Sequence, residues 1–158
     1  MRDAESLAEV WTAMEAIAER GGASRLGISN CYSLAYLEHL WETAKIKPAV
    51  VQNRFYAATA YDVDIRRFCR AHGMTYQSFW TLTANSDLLA SPELRSPAAR
   101  LGRTPEQVLF RFLTQEGVVP LTGTQSEAHM REDLAIFEFE LRDGEREAIA
   151  ERLGETGR

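Results

Sequence analysis

The sequence predicts a parallel α/β fold, and three observations carry that reading. Short apolar runs, at 24–30, 49–51, 74–79 and 118–121, alternate with segments whose apolar residues recur at helical spacing. The order is a helix, then strand and helix four times, then a closing helix. Helices of about a dozen residues between strands act as crossovers, and crossovers impose parallel pairing. Finally, each run changes character at its exit, into Ser29-Asn30-Cys31, Gln52-Asn53-Arg54, Phe79-Trp80-Thr81 and Thr122-Gly123-Thr124. Parallel α/β folds gather functional groups outside the carboxyl ends of their strands, so one face is expected to collect all four exits.

The elements follow in order. Residues 6–20 place Leu7, Val10, Trp11, Met14 and Ile17 on one helical face, with Glu5, Glu9, Glu15 and Glu19 elsewhere, and Gly21-Gly22 ends the helix. Ser24 to Asn30 reads as the first strand. Ser33 caps a second helix with the face Leu34, Leu37, Leu40 and Trp41, and Lys45 and Lys47 suit its negative end. Pro48 stops that helix before the strand at Ala49 to Val51. A third helix, 61–72, carries Val63, Ile65 and Phe68, and His72-Gly73 closes it. Met74 to Phe79 is the third strand. Thr83 to Pro97 reads as loop, the longest irregular stretch, with a turn of helix at Asp87 to Leu89. Thr104-Pro105-Glu106-Gln107 is a capping box with proline at the first helical position, ahead of Val108, Leu109, Phe112 and Leu113. After Gly117 comes the strand at Val118 to Leu121. Phe137 to Leu141 alternates, and a helix from about Asp143 to Leu153 closes the chain.

The 158 residues have the length of one domain, 1–158, with ordinary globular composition: 45% hydrophobic and 26% charged. No apolar stretch approaches the ~18 residues of a membrane span, and MRDAESLAEV is not a signal peptide, so no membrane partner is expected. A net charge of −5 with scattered basic residues argues against nucleic acid. Cys31 and Cys69 have no metal-ligand spacing and read as reduced thiols in a cytoplasmic protein; no metal site is expected.

Val118 to Leu134, VVPLTGTQSEAHMREDL, organises the rest. A strand feeds through a Thr-Gly-Thr turn into a helix capped by Ser126. Backbone N–H groups and the positive end of the helix dipole then converge, which makes an anion cradle. The same stretch also reads as an ordinary strand-to-helix connection with a good cap. His72 reads as a helix C-cap and His39 as solvated. Tyr56, Tyr76, Asp87 and Arg54 lie near strand ends or loops without a spacing that demands acid–base work. Cys31, between a strand exit and a helix start, reads as packing or as an activated thiol.

GISN at 27–30, PAVVQNRF at 48–55, YQSFWTLT at 76–83, TPEQVLFRF at 104–112 and PLTGTQSEAHMRED at 120–133, in that order, resemble the C-terminal half of the aldo-keto reductases. The resemblance implies half of a (β/α)8 barrel, four parallel βα units, and an NAD(P) cofactor bound in extended form. It implies that Ser29, Asn30 and Gln52 hydrogen-bond the nicotinamide carboxamide, that Phe79 stacks on the nicotinamide ring, and that Gly123 and Thr124 hold the phosphate beside the adenosine ribose. Each assignment suits its chemistry: an aromatic face for a flat cationic ring, amides and hydroxyls for an amide, a helix N-terminus for phosphate. Taken singly, the same residues also read as caps, strand ends or core.

There are departures from the family pattern. The family's catalytic Asp, Tyr, Lys and His lie on its first four strands, which would precede Met1, so no residue here inherits those roles. His129 sits where many NADPH-dependent members place an arginine for the 2′-phosphate, and Asp133 where an asparagine or glutamine commonly meets adenine. Losing a permanently charged, forked donor weakens NADPH selectivity, so binding is expected to be weak. Three functions follow: a truncated aldo-keto reductase acting on a small-molecule substrate; a non-redox dehydratase, isomerase or cyclase of secondary metabolism; or a non-catalytic nucleotide-binding or protein-interaction module. Two open sheet edges, and inward side chains at Ile28 and Val50 or Val51, predict a homodimer that completes or covers the half-barrel.

Overall fold

The computed structural model describes residues 4–155, with side chains from Ala8 onward; Leu7 of the first helical face lies outside the described side chains. The elements run α1 (Ala4–Glu19), β1 (Gly27–Ser29), α2 (Leu34–Thr43), β2 (Val50–Arg54), α3 (Val63–Ala71), β3 (Thr75–Phe79), α4 (Ser86–Leu89), α5 (Pro92–Leu101), α6 (Pro105–Gln115), β4 (Val118–Pro120), α7 (Glu127–Leu134) and α8 (Asp143–Arg152). Among the described residues four strands form one sheet in chain order, β1-β2-β3-β4. β1 and β2 pair in parallel, with Ser29 opposite Gln52. This is the predicted α/β architecture. Two compact units make up the chain: one holds the residues up to Asn53 with Asp64–Tyr76, the other Arg54–Val63 with the residues from Gln77 on.

In the first unit Trp11, Leu26, Leu40 and Ala44 form a core, joined by Met14, Ala18, Ile28 and Ile46. α1 is docked by hydrogen bonds as well as by apolar burial. Trp11 Nε1 donates to the Ile46 carbonyl at 3.1 Å, and the Ile46 N–H donates to Glu15 Oε1 at 2.9 Å. The docked face therefore includes Glu15, read from sequence as lying off the apolar face, whereas Val10 and Ile17 are nearly half exposed. Ser33 caps α2. Lys47 Nζ reaches the Glu42 carbonyl as the dipole argument expects, while Lys45 pairs with Glu19 of α1. His72 Nδ1 lies 2.9 Å from the Phe68 carbonyl, closing α3, and its ring packs on Phe68 and Trp41.

In the second unit α6 is the centre. Val108, Leu109, Phe110, Phe112 and Leu113 are buried along it, and Thr104 and Gln107 form the full capping box. Thr83 to Pro97, expected to be loop, is mostly helical: α4 and then α5. Pro92 occupies the first helical position, where a missing N–H has no helical partner to lose, and Pro97 forgoes one backbone bond in exchange for a buried place in the core. The alternation at Phe137 to Leu141 makes no strand. Ala135–Glu138 is a 3₁₀ turn, and the segment is held by arginines: Arg103 pairs with Glu138 at 2.9 Å and stacks over Phe139, and Arg111 stacks over Phe137.

β2 alternates, with Val51 and Asn53 buried and Val50, Gln52 and Arg54 half-buried; β3 buries Tyr76 and Ser78 and leaves Thr75, Gln77 and Phe79 half-buried. Ile28 packs on the helices α1 and α2, contrary to its expected place on the open face, and of the alternatives Val50 and Val51 it is Val51 that is buried on the same side. Only Val50 of that set faces away from them. The apolar surface left on β1 and β2 is lighter than expected.

Candidate functional site

At the exits of β1 and β2 the backbone is arranged by one buried amide. Asn53 Oδ1 accepts the Cys31 N–H at 2.8 Å and its Nδ2 donates to the Cys31 carbonyl at 2.6 Å. The Asn30 N–H donates to the Gln52 carbonyl at 3.0 Å, and Asn30 turns the chain with a left-handed φ of 56°. Ser29, Asn30 and Gln52 are therefore neighbours. Ser29 and Gln52 are register partners, and Asn30 follows at the turn, its Oδ1 accepting the Tyr32 hydroxyl at 3.2 Å. Asn30 does not cap α2, which settles one alternative; Ser33 does. Cys31 is buried beside the Ser33 carbonyl, 3.8 Å from its Sγ.

In the second unit a cleft of about 430 Å³ opens at the carboxyl ends of β3 and β4, lined among others by Phe79, Trp80, Thr83, Phe110, Leu121 and Gly123. Two predicted residues, Phe79 and Gly123, thus share one cavity. Its floor is fixed from beneath: Thr81 Oγ1 donates to Ser78 Oγ at 2.9 Å, and the buried Asn85 Nδ2 donates to the carbonyls of Phe55 at 2.7 Å and Thr81 at 2.9 Å. The Leu121 N–H donates to the Ser78 carbonyl at 2.7 Å, joining the β4 exit to β3. Between these bonds Trp80 is held at φ 56°, a conformation that costs a bulky residue about 1–3 kcal/mol and persists only where its surroundings enforce it. Its side chain is 56% exposed, and the Arg54 guanidinium lies 4.0 Å from its ring centroid and 5.3 Å from that of Tyr56.

The turn after β4 is organised as the sequence predicts. Ser126 Oγ accepts the His129 N–H at 3.4 Å, capping α7, and Thr124 Oγ1 accepts the Ser126 N–H at 3.1 Å. His129 is exposed on the first turn of α7. Asp133 Oδ2 accepts the Thr122 hydroxyl at 2.7 Å, so its carboxylate ties the last turn of α7 to the loop after β4. Gly123 needs no left-handed backbone, and a Cβ there would meet nothing within 4 Å.

The named lining carries hydroxyls, aromatic rings and aliphatic groups but no acid or base. Of the other residues weighed from sequence, Tyr76 is buried in β3 and Asp87 is exposed on α4. Tyr61, which packs 5.1 Å from the Phe55 ring, has its phenol pushed up by burial, partly opposed by Arg152, and so stays protonated at neutral pH. Among the described residues no group of His, Cys, Asp and Glu is placed to hold a metal, and no helix is long and apolar enough to cross a membrane. Sequence reasoning placed Asn53 and Trp80 at strand exits without giving either a role, and did not single out Asn85. The pairing Gln52-Asn53 was a signal for the first, because alternation puts one of two adjacent amides on each face of a strand.

Comparison with known proteins bears on this geometry. The sequence model of the Aldo/keto reductase family matches residues 2–153. A probable NAD(P)H-dependent D-xylose reductase of Emericella nidulans is 30% identical over 92% of this chain and 49% of its own length. An NADPH-dependent codeinone reductase of Papaver somniferum is 31% identical over 90% of this chain and 46% of its own. Among solved structures, an aldo-keto reductase from a Medee basin deep-sea metagenome library superposes with a TM-score of 0.86 over all of this chain and 58% of its own, at 20% identity. The aldose reductase of Schistosoma japonicum gives 0.78 over 90% and 46%, at 23% identity. The chain spans about half the length of the curated relatives it matches.

Proposed function

The chain belongs to the aldo/keto reductase family, and from that premise we propose that these residues form the nicotinamide-dinucleotide side of a reductase acting on a small carbonyl compound. The observation that carries the reading is the company the residues keep. Ser29, Asn30 and Gln52 are neighbours at adjoining strand exits, and Phe79 and Gly123 share a cleft at two others. In this reading the first group meets the nicotinamide carboxamide, Phe79 stacks on the ring, and Gly123 and Thr124, at the capped N-terminus of α7, meet the phosphate beside the adenosine ribose. Relatives named as NAD(P)H-dependent reductases support the cofactor. His129 and Asp133 stand at the adenine end. A single imidazole lacks the fork of an arginine, and Asp133 already accepts from Thr122, so affinity is weak and discrimination between NADPH and NADH small.

Hydride transfer to a carbonyl also needs a proton donor at the developing alkoxide, and nothing lining the cleft supplies one. We infer that these residues bind and orient the cofactor and that the acid comes from elsewhere; without it the rate falls by roughly 10²–10⁴. The absence of ionisable groups among the named lining residues equally favours a second reading, a nucleotide-binding module without catalysis. Association as a homodimer belongs to the same proposal, because Val119 and Leu121 of the β4 edge lie exposed, as do Leu134 and Phe137.

Calorimetric titration with NADPH and NADH tests the reading. Binding of both, with a ratio below about tenfold (~1.4 kcal/mol), is expected, and His129→Arg should raise the ratio toward NADPH. Phe79→Ala should weaken both. No binding of either dinucleotide sinks the proposal. Oxidation of bound NADPH by small ketones at family-like rates would show that a proton donor is present after all.

A further inference from the structure

We propose that Trp80, braced by Arg54, is a stacking platform that selects planar, conjugated carbonyl compounds over saturated ones of the same size. The inference rests on the reading of the cleft as the site of a carbonyl reductase, and it starts from strain. Trp80 is a bulky residue in the left-handed region, φ 56°, and it is more than half exposed. Burial does not explain that conformation, because most of the side chain lies in solvent. The turn is instead enforced by polar contacts on either side: the Ala84 N–H to the Trp80 carbonyl at 3.0 Å, Thr81 to Ser78, and Asn85 to Thr81. The effect of the strain is to set an exposed indole beside Phe79 in the lining of the cleft.

The Arg54 guanidinium lies 4.0 Å from the indole centroid, close enough for a cation–π contact, and also near the Tyr56 ring. A guanidinium against the ring restrains the ring plane and draws electron density toward itself, and the indole it leaves more than half exposed is part of the cleft's lining. A rigid flat surface at the edge of an apolar cavity prefers a second flat ring in offset or edge contact. It gives a puckered saturated ring only ordinary apolar contact. Arg54 acts here as a positioning residue, through Trp80.

The test uses the whole chain and a matched pair of ketones, acetophenone and cyclohexyl methyl ketone, with dissociation constants from ligand-observed NMR. The aryl ketone is expected to bind roughly 2- to 10-fold more tightly, the ratio that the extra interaction of an aromatic pair corresponds to. Trp80→Leu should bring the ratio to one, Trp80→Phe should keep part of it, and Arg54→Met should lower it with the ring still present. Equal binding of the two ketones by the unsubstituted chain overturns the platform, which needs no variant to fold. Persistence of the preference in Trp80→Leu overturns it as well. A preserved ratio in a chain that binds no NADPH upholds the platform and sinks the cofactor reading alone.

Discussion

Replacing Asn53 by alanine removes a single side-chain amide that two backbone groups depend on. Asn53 is fully buried and Cys31 nearly so, and the amide both accepts from the Cys31 N–H and donates to the Cys31 carbonyl. Each lost hydrogen bond is worth about 0.5–1.5 kcal/mol net, and more, about 1–3 kcal/mol, where the abandoned partner stays dry. With two partners at a buried strand exit, Asn53→Ala should destabilise the chain by about 2–4 kcal/mol. Against a total of about 5–15 kcal/mol that is a large fraction. Asn53→Asp adds a pH signature. The carboxylate keeps the acceptor for the N–H but sets a negative charge against the Cys31 carbonyl, so burial raises its folded pKa, and stability is fullest below its unfolded pKa of about 3.9 and lost as pH rises through the folded value. Urea unfolding followed by circular dichroism, at one fixed protein concentration because association would shift the midpoint, gives the numbers. A loss below about 0.5 kcal/mol for Asn53→Ala would refute the reasoning, since it would mean that water reaches Cys31 and that the strand exit is not sealed.

Two further outcomes are expected. The Arg100 guanidinium, bonded twice to Glu145 at 2.7 Å, holds that carboxyl below its ordinary value, so the α5–α8 pair is stabilising above the unfolded pKa of about 4.3 and its contribution disappears as pH falls through the folded value. Arg100→Met should therefore lower the urea midpoint at pH 7 and leave it almost unchanged near pH 3. Light scattering at micromolar concentration should give a mass near twice 17.8 kDa; a stable monomer would rule out the second copy as the cover for the β4 edge.

Local signals in the sequence were reliable, and signals that depend on partners across space were not. Ser33, Thr104 and Ser126 were legible as caps because a cap needs only its own neighbours, and the element order gave the parallel sheet. The resemblance to aldo-keto reductases, resting on motifs in order, agrees with the family match over residues 2–153. Proline misled where its position decides its effect: Pro92 begins a helix and Pro97 sits within one. Glu15 was placed off the apolar face because its partner, the Ile46 N–H, lies 31 residues away. The roles of Asn53 and Asn85 were hidden for the same reason, each bonding backbone far along the chain, 22 and 30 residues off. Ile28 was assigned to the wrong face because a three-residue strand offers too little alternation to fix which side is inward.

The left-handed turn at Trp80 sets two selective pressures against each other. Glycine there would relax the backbone and, by that alone, stabilise the fold, yet it would erase the indole over which Arg54 lies. A laboratory lineage screened only for heat tolerance is thus expected to drift toward glycine at this position, while one screened for ligand recognition keeps tryptophan and tolerates the lower melting point.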